Sequence, residues 1–93
     1  MVQHIVMWNL RDDVNKDEAA AQMKQKLEAL VGQVPGLVDA CVVRSFGGYD
    51  VALVSHHESK EALAVYQEHP AHVLVKGYVH SVAIERVFCD AEM

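Results

Sequence analysis

The chain has 93 residues, which places it in the range of a single domain with one hydrophobic core. It carries 8 Lys and Arg against 13 Asp and Glu, a formal net charge of −5, and no cluster of basic residues. This balance argues against nucleic acid and anionic membranes as partners, and no apolar run approaches the roughly 18 residues that a membrane span requires. The amino-terminal residues lack the pattern of a secretion signal, so we expect a cytoplasmic protein.

The first element is predicted to be a strand over residues 2–10, because the side chains alternate between two faces. One face carries Val2, His4, Val6, Trp8 and Leu10, and the other carries Ile5 and Met7. Both faces are apolar, so we expect both to be at least partly buried.

The clearest helix of the sequence follows this strand. Asn15 with Glu18 three residues later resembles a capping box and predicts the start of the helix. Apolar residues then recur at steps of three and four: Ala20, Met23, Leu27, Leu30, Val31 and Val34. We expect Gly32 in the last turn and Pro35-Gly36 as the stop signal.

The middle of the chain is predicted to form a hairpin. A strand over about residues 37–45 leads to the turn signal Phe46-Gly47-Gly48, and residues 49–55 are predicted to return as the antiparallel partner. Ser59 is then the predicted cap of a second, shorter helix. Ala62, Leu63 and Tyr66 recur at helical spacing, and Pro70 is expected to end or kink this helix.

The last third of the chain is predicted to contain one more strand. A short helical turn is expected between Pro70 and Gly77, followed by strand-like alternation over residues 79–89. The acidic tail Asp90-Ala91-Glu92-Met93 has no periodicity and is expected to form a loose end.

The order βαββαβ predicts an α+β fold in which residues 1–93 form a single ferredoxin-like domain. Its four-stranded antiparallel sheet would carry both helices on one face. The other face would expose His4, Val6 and Trp8, or their alternates, together with more apolar surface than a solvated sheet should carry. We therefore predict a homodimer in which two sheets face each other and enclose a space.

The two cysteines, Cys41 and Cys89, are far apart and match no zinc-type spacing. We expect both to be reduced thiols that serve as buried packing residues.

Histidine is unusually frequent, with six in the chain: His4, His56, His57, His69, His72 and His80. The sharpest local feature is the run from Tyr66 to His72, which combines a phenol, two imidazoles and Pro70. If the two ends of this run meet, a neutral His72 could remove a proton next to a carbonyl while the Tyr66 hydroxyl donates to the developing oxyanion. The alternative is structural, with Tyr66 packed at a helix end and the histidines bonded to carbonyls.

The other candidate residues carry weaker signals. His56 and His57 are expected at a solvated strand end, and His80 is expected to be exposed at the start of the last strand. Trp8 could line a pocket or fill the core. No ligand spacing supports a metal site among His4, His69 and His72, and no flavin, nicotinamide or haem motif is present, so we predict no metal and no cofactor.

Three features together resemble the stress-responsive A/B barrel (Dabb) family: Val2-Gln3-His4-Ile5-Val6, Pro35-Gly36 after the first helix, and the run from Tyr66 to His72 with His69-Pro70-Ala71-His72. The likeness covers essentially the whole chain. It implies a ferredoxin-like protomer that pairs through its open sheet face into a dimeric α/β barrel.

Plant polyketide cyclases of that family, such as olivetolic acid cyclase, perform a cofactor-free aldol condensation with a histidine and a tyrosine at the positions of His72 and Tyr66. A further pocket histidine of those enzymes matches His4. The chain departs from them at Val51, where they have another pocket histidine.

We therefore consider three functions. The first is a cofactor-independent lyase or cyclase acting on a small carbonyl or polyketide-like compound, with His72 and Tyr66 as catalytic residues and His4, Trp8 and His69 as substrate-binding residues. The second is a non-catalytic stress-response or small-ligand-binding homodimer. The third, a cofactor-free monooxygenase, rests on analogy of fold alone.

Overall fold

The structure, a computed structural model, describes residues 1–93 and contains four strands and three helices. In chain order these are β1 (Val2–Leu10), α1 (Lys16–Glu28), β2 (Leu37–Arg44), β3 (Val51–His57), α2 (Lys60–Glu68), α3 (Pro70–Val82) and β4 (Ala83–Glu92). The strands form one antiparallel sheet in the order β2-β3-β1-β4. The predicted ferredoxin-like α+β fold is confirmed, with α2 and α3 together forming the second crossover. No helix is both long and apolar enough to cross a membrane.

The helices cover the face of the sheet that carries His4, Val6 and Trp8, all of which are buried. Cross-strand pairing places Val6 opposite Leu53, and Leu53 opposite Val42, so one apolar row runs through the core. The sequence left open whether His4, Val6 and Trp8 or the residues that alternate with them lie on the uncovered face of the sheet. The residues that alternate with them do. Burial explains which face of β1 points to the helices, because Trp8, the bulkiest ring of the strand, lies on the side where helices can cover it.

The first helix begins as predicted and ends earlier than predicted. Asn15 is its cap, and the Asn15 side chain accepts from the backbone N–H of Glu18. The helix ends at Glu28, and Gly32 lies beyond it in a turn, at a positive φ of 89° that a helix cannot contain. Leu30 and Val34 remain buried through this turn, whereas Val31 is exposed.

The short helical turn predicted after Pro70 is in fact the full helix α3, which continues through Gly77 to Val82. Pro70 is in its first turn, where the missing N–H costs no hydrogen bond. Burial of His72, Val79 and Val82 along one face outweighs the roughly 1 kcal/mol that an internal glycine costs. The prediction of a strand from residue 79 was therefore wrong for residues 79–82.

The boundaries of the last two strands also differ from the prediction. Strand β3 begins at Val51, because Tyr49 and Asp50 belong to the turn, and it continues to His57. Strand β4 extends to Glu92, so the predicted loose end pairs with β1, where Asp90 lies opposite His4 and Glu92 opposite Val2. The hydrogen bonds of the sheet ladder order this acidic segment.

The uncovered face of the sheet, here called the open face, carries two apolar rows in register across all four strands. The rows are Cys41–Val54–Ile5–Cys89 and Val43–Ala52–Met7–Val87. Both cysteines are exposed in the protomer. The prediction that they are buried packing residues was therefore wrong for the isolated chain, because β2 and β4 present them on the side without helices.

Candidate active site

A cavity of about 280 Å³ lies between the helix-covered face of the sheet and α2 and α3. Strand β1 contributes His4 and Trp8 to its lining, α2 contributes Tyr66, and α3 contributes His72. Three further residues of the lining are basic: Lys76, His80 and Arg86. The cavity therefore brings together four of the five residues that the sequence indicated as a site.

Tyr66 and His72 are in direct contact. Their rings stack with a centroid separation of 3.9 Å and an interplanar angle of 22°. The two side chains meet because Tyr66 lies on the buried face of α2 and His72 lies at the buried start of α3, with only His69 between the two helices. The proline thus turns the chain without separating the two rings.

The hydrogen bond of His72 fixes which of its nitrogens carries the proton. Nδ1 lies 2.9 Å from the backbone oxygen of Tyr66. A carbonyl oxygen can only accept, so Nδ1 donates, and in the neutral ring Nε2 has the free lone pair. Both side chains are largely buried. Even so, Nε2 of His72 and the hydroxyl of Tyr66 are not among the buried polar atoms that lack a hydrogen-bond partner.

Burial shifts both groups toward their neutral forms. It raises the pKa of Tyr66 from 10.0 to about 12, so the hydroxyl keeps its proton throughout the neutral range. Burial likewise lowers the pKa of His72 from 6.5 to about 4, and the positive charge of Lys76 adds to the decrease. At pH 7 the pair is therefore a neutral phenol beside a neutral imidazole.

His4 has a carboxylate partner that the sequence did not indicate. Its Nδ1 contacts the Oδ1 atom of Asp90, which lies directly opposite on β4. Such a contact orients the imidazole, and Nε2 is the ring nitrogen that Asp90 does not engage. Asp90 could be identified only from the antiparallel register that pairs the first strand with the last. No local sequence pattern reveals that register.

His57 is completely buried, contrary to the prediction of a solvated strand end. The centroid of its ring lies 4.8 Å from that of Tyr66 and 6.0 Å from that of His4. Its Nε2 is 3.0 Å from the Ser55 hydroxyl oxygen. Its Nδ1 is buried without a hydrogen-bond partner. Burial lowers the pKa of His57 to about 4, and the neighbouring His4 adds to the decrease. A strand continued two residues further would have predicted this inward position.

His69 lies outside the cavity. It caps both helices, donating its backbone N–H to Tyr66 and accepting from the N–H of Ala71 with its Nδ1, 3.1 Å away. Its position therefore does not support the prediction that it binds substrate. His80 is exposed, as expected, on α3 rather than on a strand. No three His, Cys, Asp or Glu side chains converge in an arrangement that could hold a metal ion.

Fold and cavity together define a small ferredoxin-like domain whose sheet and helices enclose a site of stacked rings. The model of the stress responsive A/B barrel domain matches residues 2–93. The chain belongs to this family. No curated protein matches the sequence significantly.

Several solved structures share the fold. A dimeric protein of unknown function from Bacteroides fragilis superposes with a TM-score of 0.90 at 26% identity, covering 99% of this chain and 95% of that one. The Arabidopsis thaliana protein At3g17210 gives a TM-score of 0.88 at 22% identity, covering 100% and 95%. A hydroxynitrile lyase from Passiflora edulis gives 0.84 at 14% identity, covering 97% and 90%.

Proposed function

We propose that this protein is a cofactor-independent lyase or cyclase that removes a proton next to the carbonyl group of a small molecule. The observation that carries the proposal is the stacked pair of Tyr66 and His72 on the wall of a cavity that also contains His4. A neutral base beside a neutral hydroxyl donor is the pair that enolate chemistry needs.

The proposed steps need only proton transfers and a rearrangement of bonds. Nε2 of His72 takes a proton from the carbon next to the carbonyl, and the electron pair moves onto the carbonyl oxygen, which accepts from the Tyr66 hydroxyl. In a cyclase the enolate carbon then attacks a second carbonyl, and the new alkoxide takes the proton back from His72. Atoms and electrons balance without an oxidant or a reductant.

His4 and Trp8 are the proposed binding residues. The Asp90 carboxylate holds Nδ1 of His4, so His4 can present Nε2 to a polar group of the substrate. Trp8 is 5% exposed and supplies an apolar wall. Val51 is buried on the same face in place of the additional pocket histidine of the polyketide cyclases, so we propose the general step and not their particular condensation.

Two likenesses support the choice of a lyase or cyclase for this proposal. One protein of the same fold is a hydroxynitrile lyase, at an identity that establishes fold alone. The sequence also resembles cyclases that use a tyrosine and a histidine at the positions of Tyr66 and His72.

We also propose that the protein is a homodimer that pairs through its open face into a dimeric α/β barrel. Two apolar rows in register leave this face with hydrophobic area that a partner sheet would bury. The Bacteroides fragilis relative, described as dimeric, supports the same association.

The proposed chemistry can be tested without knowing the natural substrate. Exchange of the protons next to a ketone carbonyl is followed by NMR in D₂O, with 5-oxohexanoate and methyl 5-oxohexanoate as probes. We expect His72→Asn to slow enzyme-dependent exchange by about 10²–10⁴-fold and Tyr66→Phe by about 10²–10³-fold. The rate should be constant from pH 6 to 8 and fall below about pH 5, as His72 becomes protonated.

Tyr78→Phe is the matched control, because it makes the same change on α3 at a residue that does not line the cavity. If His72→Asn lowers the melting temperature but leaves the exchange rate of every accepted probe unchanged, the pair is structural. The non-catalytic, ligand-binding function would then replace the proposal.

A further inference from the structure

Lys76 and Arg86 place two positive charges in the lining of the cavity, in a chain with an excess of acidic residues. His80 also lines the cavity, and no Asp or Glu side chain does. The whole chain has 13 acidic against 8 basic residues, so the charge of this lining is opposite in sign to the net charge of the protein. This positive charge raises the local concentration of small anions.

Most basic side chains of the protein already have a carboxylate partner. Ion pairs occupy five of the eight basic residues: Arg11, Lys16, Lys24, Arg44 and Lys60. Of the remaining three, Lys26 lies over the Tyr78 ring, and the other two are Lys76 and Arg86 at the cavity. The unpaired cations are thus concentrated at this site.

Both cations are positioned and still have free donors. Lys76 donates one hydrogen bond from Nζ to the backbone oxygen of Gln67 at 2.7 Å, which leaves two further N–H groups. The guanidinium of Arg86 lies 4.9 Å from the centre of the Phe88 ring and makes no ion pair. Its neighbour Glu85 instead accepts from the Asn9 side chain.

The spacing along α3 connects these cations to the proposed chemistry. His72, Lys76 and His80 follow one another at steps of four, so they lie on one face of the helix. At a rise of 1.5 Å per residue, Lys76 is about 6 Å from His72 along the axis. A carboxylate at Lys76 and Arg86 would leave a carbonyl a few bonds away beside Tyr66 and His72.

We propose that the substrate is a small keto carboxylate whose carboxylate is held by Lys76 and Arg86 while its ketone lies against Tyr66 and His72. This inference rests on the function proposed for the same site. A bound carboxylate also offsets the positive charges that oppose protonation of His72, so the substrate itself would make this histidine a stronger base.

The test measures binding of 5-oxohexanoate and of its neutral methyl ester by NMR titration of the full-length protein. The variants are Lys76→Gln, Arg86→Gln and both together, with Lys60→Gln as the control, since it removes the same charge from the exposed start of α2. We expect wild type to prefer the acid, and the double variant to lose about tenfold or more of its affinity for the acid with little change for the ester. Added NaCl should weaken only the acid.

Equal affinity of wild type for acid and ester would overturn the inference, and so would an equal loss of both in the double variant. The two proposals fail in different ways. If the acid binds through Lys76 and Arg86 but no probe exchanges its protons, the anion site stands and the catalytic proposal fails. If exchange depends on His72 and the acid has no advantage, the catalytic proposal stands and the keto carboxylate is wrong.

Discussion

Four ring side chains cluster at the candidate site, where His4, Tyr66 and His72 line the cavity and His57 lies behind them, and they have different environments. His72 has one nitrogen committed to a backbone carbonyl, and His4 has one committed to Asp90. His57 is bonded only to Ser55 and lies behind Tyr66. These partners determine which nitrogen of each imidazole is available, which composition alone could not reveal.

Two of the three buried histidines make stability depend on pH. His57 and His72 both have pKa values lowered to about 4 in the folded protein, against 6.5 in the unfolded chain. Between these values the unfolded chain binds more protons, so the free energy of unfolding should decrease as the pH falls from about 6.5 to 4. Each group contributes a slope of at most about 1.4 kcal/mol per pH unit.

Urea unfolding at several pH values tests this dependence. We expect His57→Phe to have a shallower slope between pH 6.5 and 4 than wild type, whatever its absolute stability. His80→Gln, a change at an exposed histidine of α3, should retain the wild-type slope. An unchanged slope in His57→Phe would show that His57 is not the source.

The helices α2 and α3 are held against the rest of the fold at a few close contacts. One of them is at Gly36, which has a positive φ of 82°. Because glycine has no side chain, it leaves room for α2 at this point. A Cβ built at this position would lie 2.6 Å from the Cβ of Ala62. The Pro35-Gly36 pair therefore ends the first crossover and also allows α2 to approach.

Gly36→Ala should destabilise the protein by roughly 1–3 kcal/mol, because the strained φ and the contact with Ala62 act together. Gly77→Ala is the opposite control. Gly77 is within α3 and an added methyl group there meets no neighbour within 4 Å, so we expect a gain of roughly 0.5–1 kcal/mol. Thermal unfolding of both variants measures the difference, and a Gly36→Ala protein as stable as wild type would contradict it.

Local signals were sufficient to predict the order of the elements and the caps at Asn15 and Ser59, because caps and periodicity depend on neighbouring residues. They failed where contacts between residues distant in sequence determine the secondary structure. Asp90 is ordered by pairing with β1, and α3 continues past Gly77 because its buried face packs on the fold. His57 was missed for a smaller reason, since the predicted strand stopped two residues too early although Val51, Leu53, Ser55 and His57 are in phase.

For the molecule as a whole, the open face decides how copies of the chain associate. Val43 is in the second apolar row of this face and is 50% exposed in the protomer, and Val73 on α3 has the same exposure away from the sheet. The two valines therefore form a matched pair for testing which surface is used.

Val43→Lys should convert the proposed homodimer to a monomer in light scattering at micromolar concentration, whereas Val73→Lys should remain dimeric. The cysteines give an independent measurement. Cys41 and Cys89 lie in the other apolar row, so both thiols should react slowly with a thiol reagent in wild type and quickly in Val43→Lys. A monomeric wild-type protein would contradict the proposed association.

The arrangement of His72, Lys76 and His80 on one face of α3 has a consequence for how such proteins diversify. The proposed base lies at the start of the helix, anchored to α2, whereas Lys76 and His80 lie one and two turns further along the same rigid helix. A single substitution at position 76 or 80 would then change which molecules are recognised without displacing the imidazole. Descendants of one ancestral chain could in this way acquire new substrates by one mutation and still retain the inherited reaction.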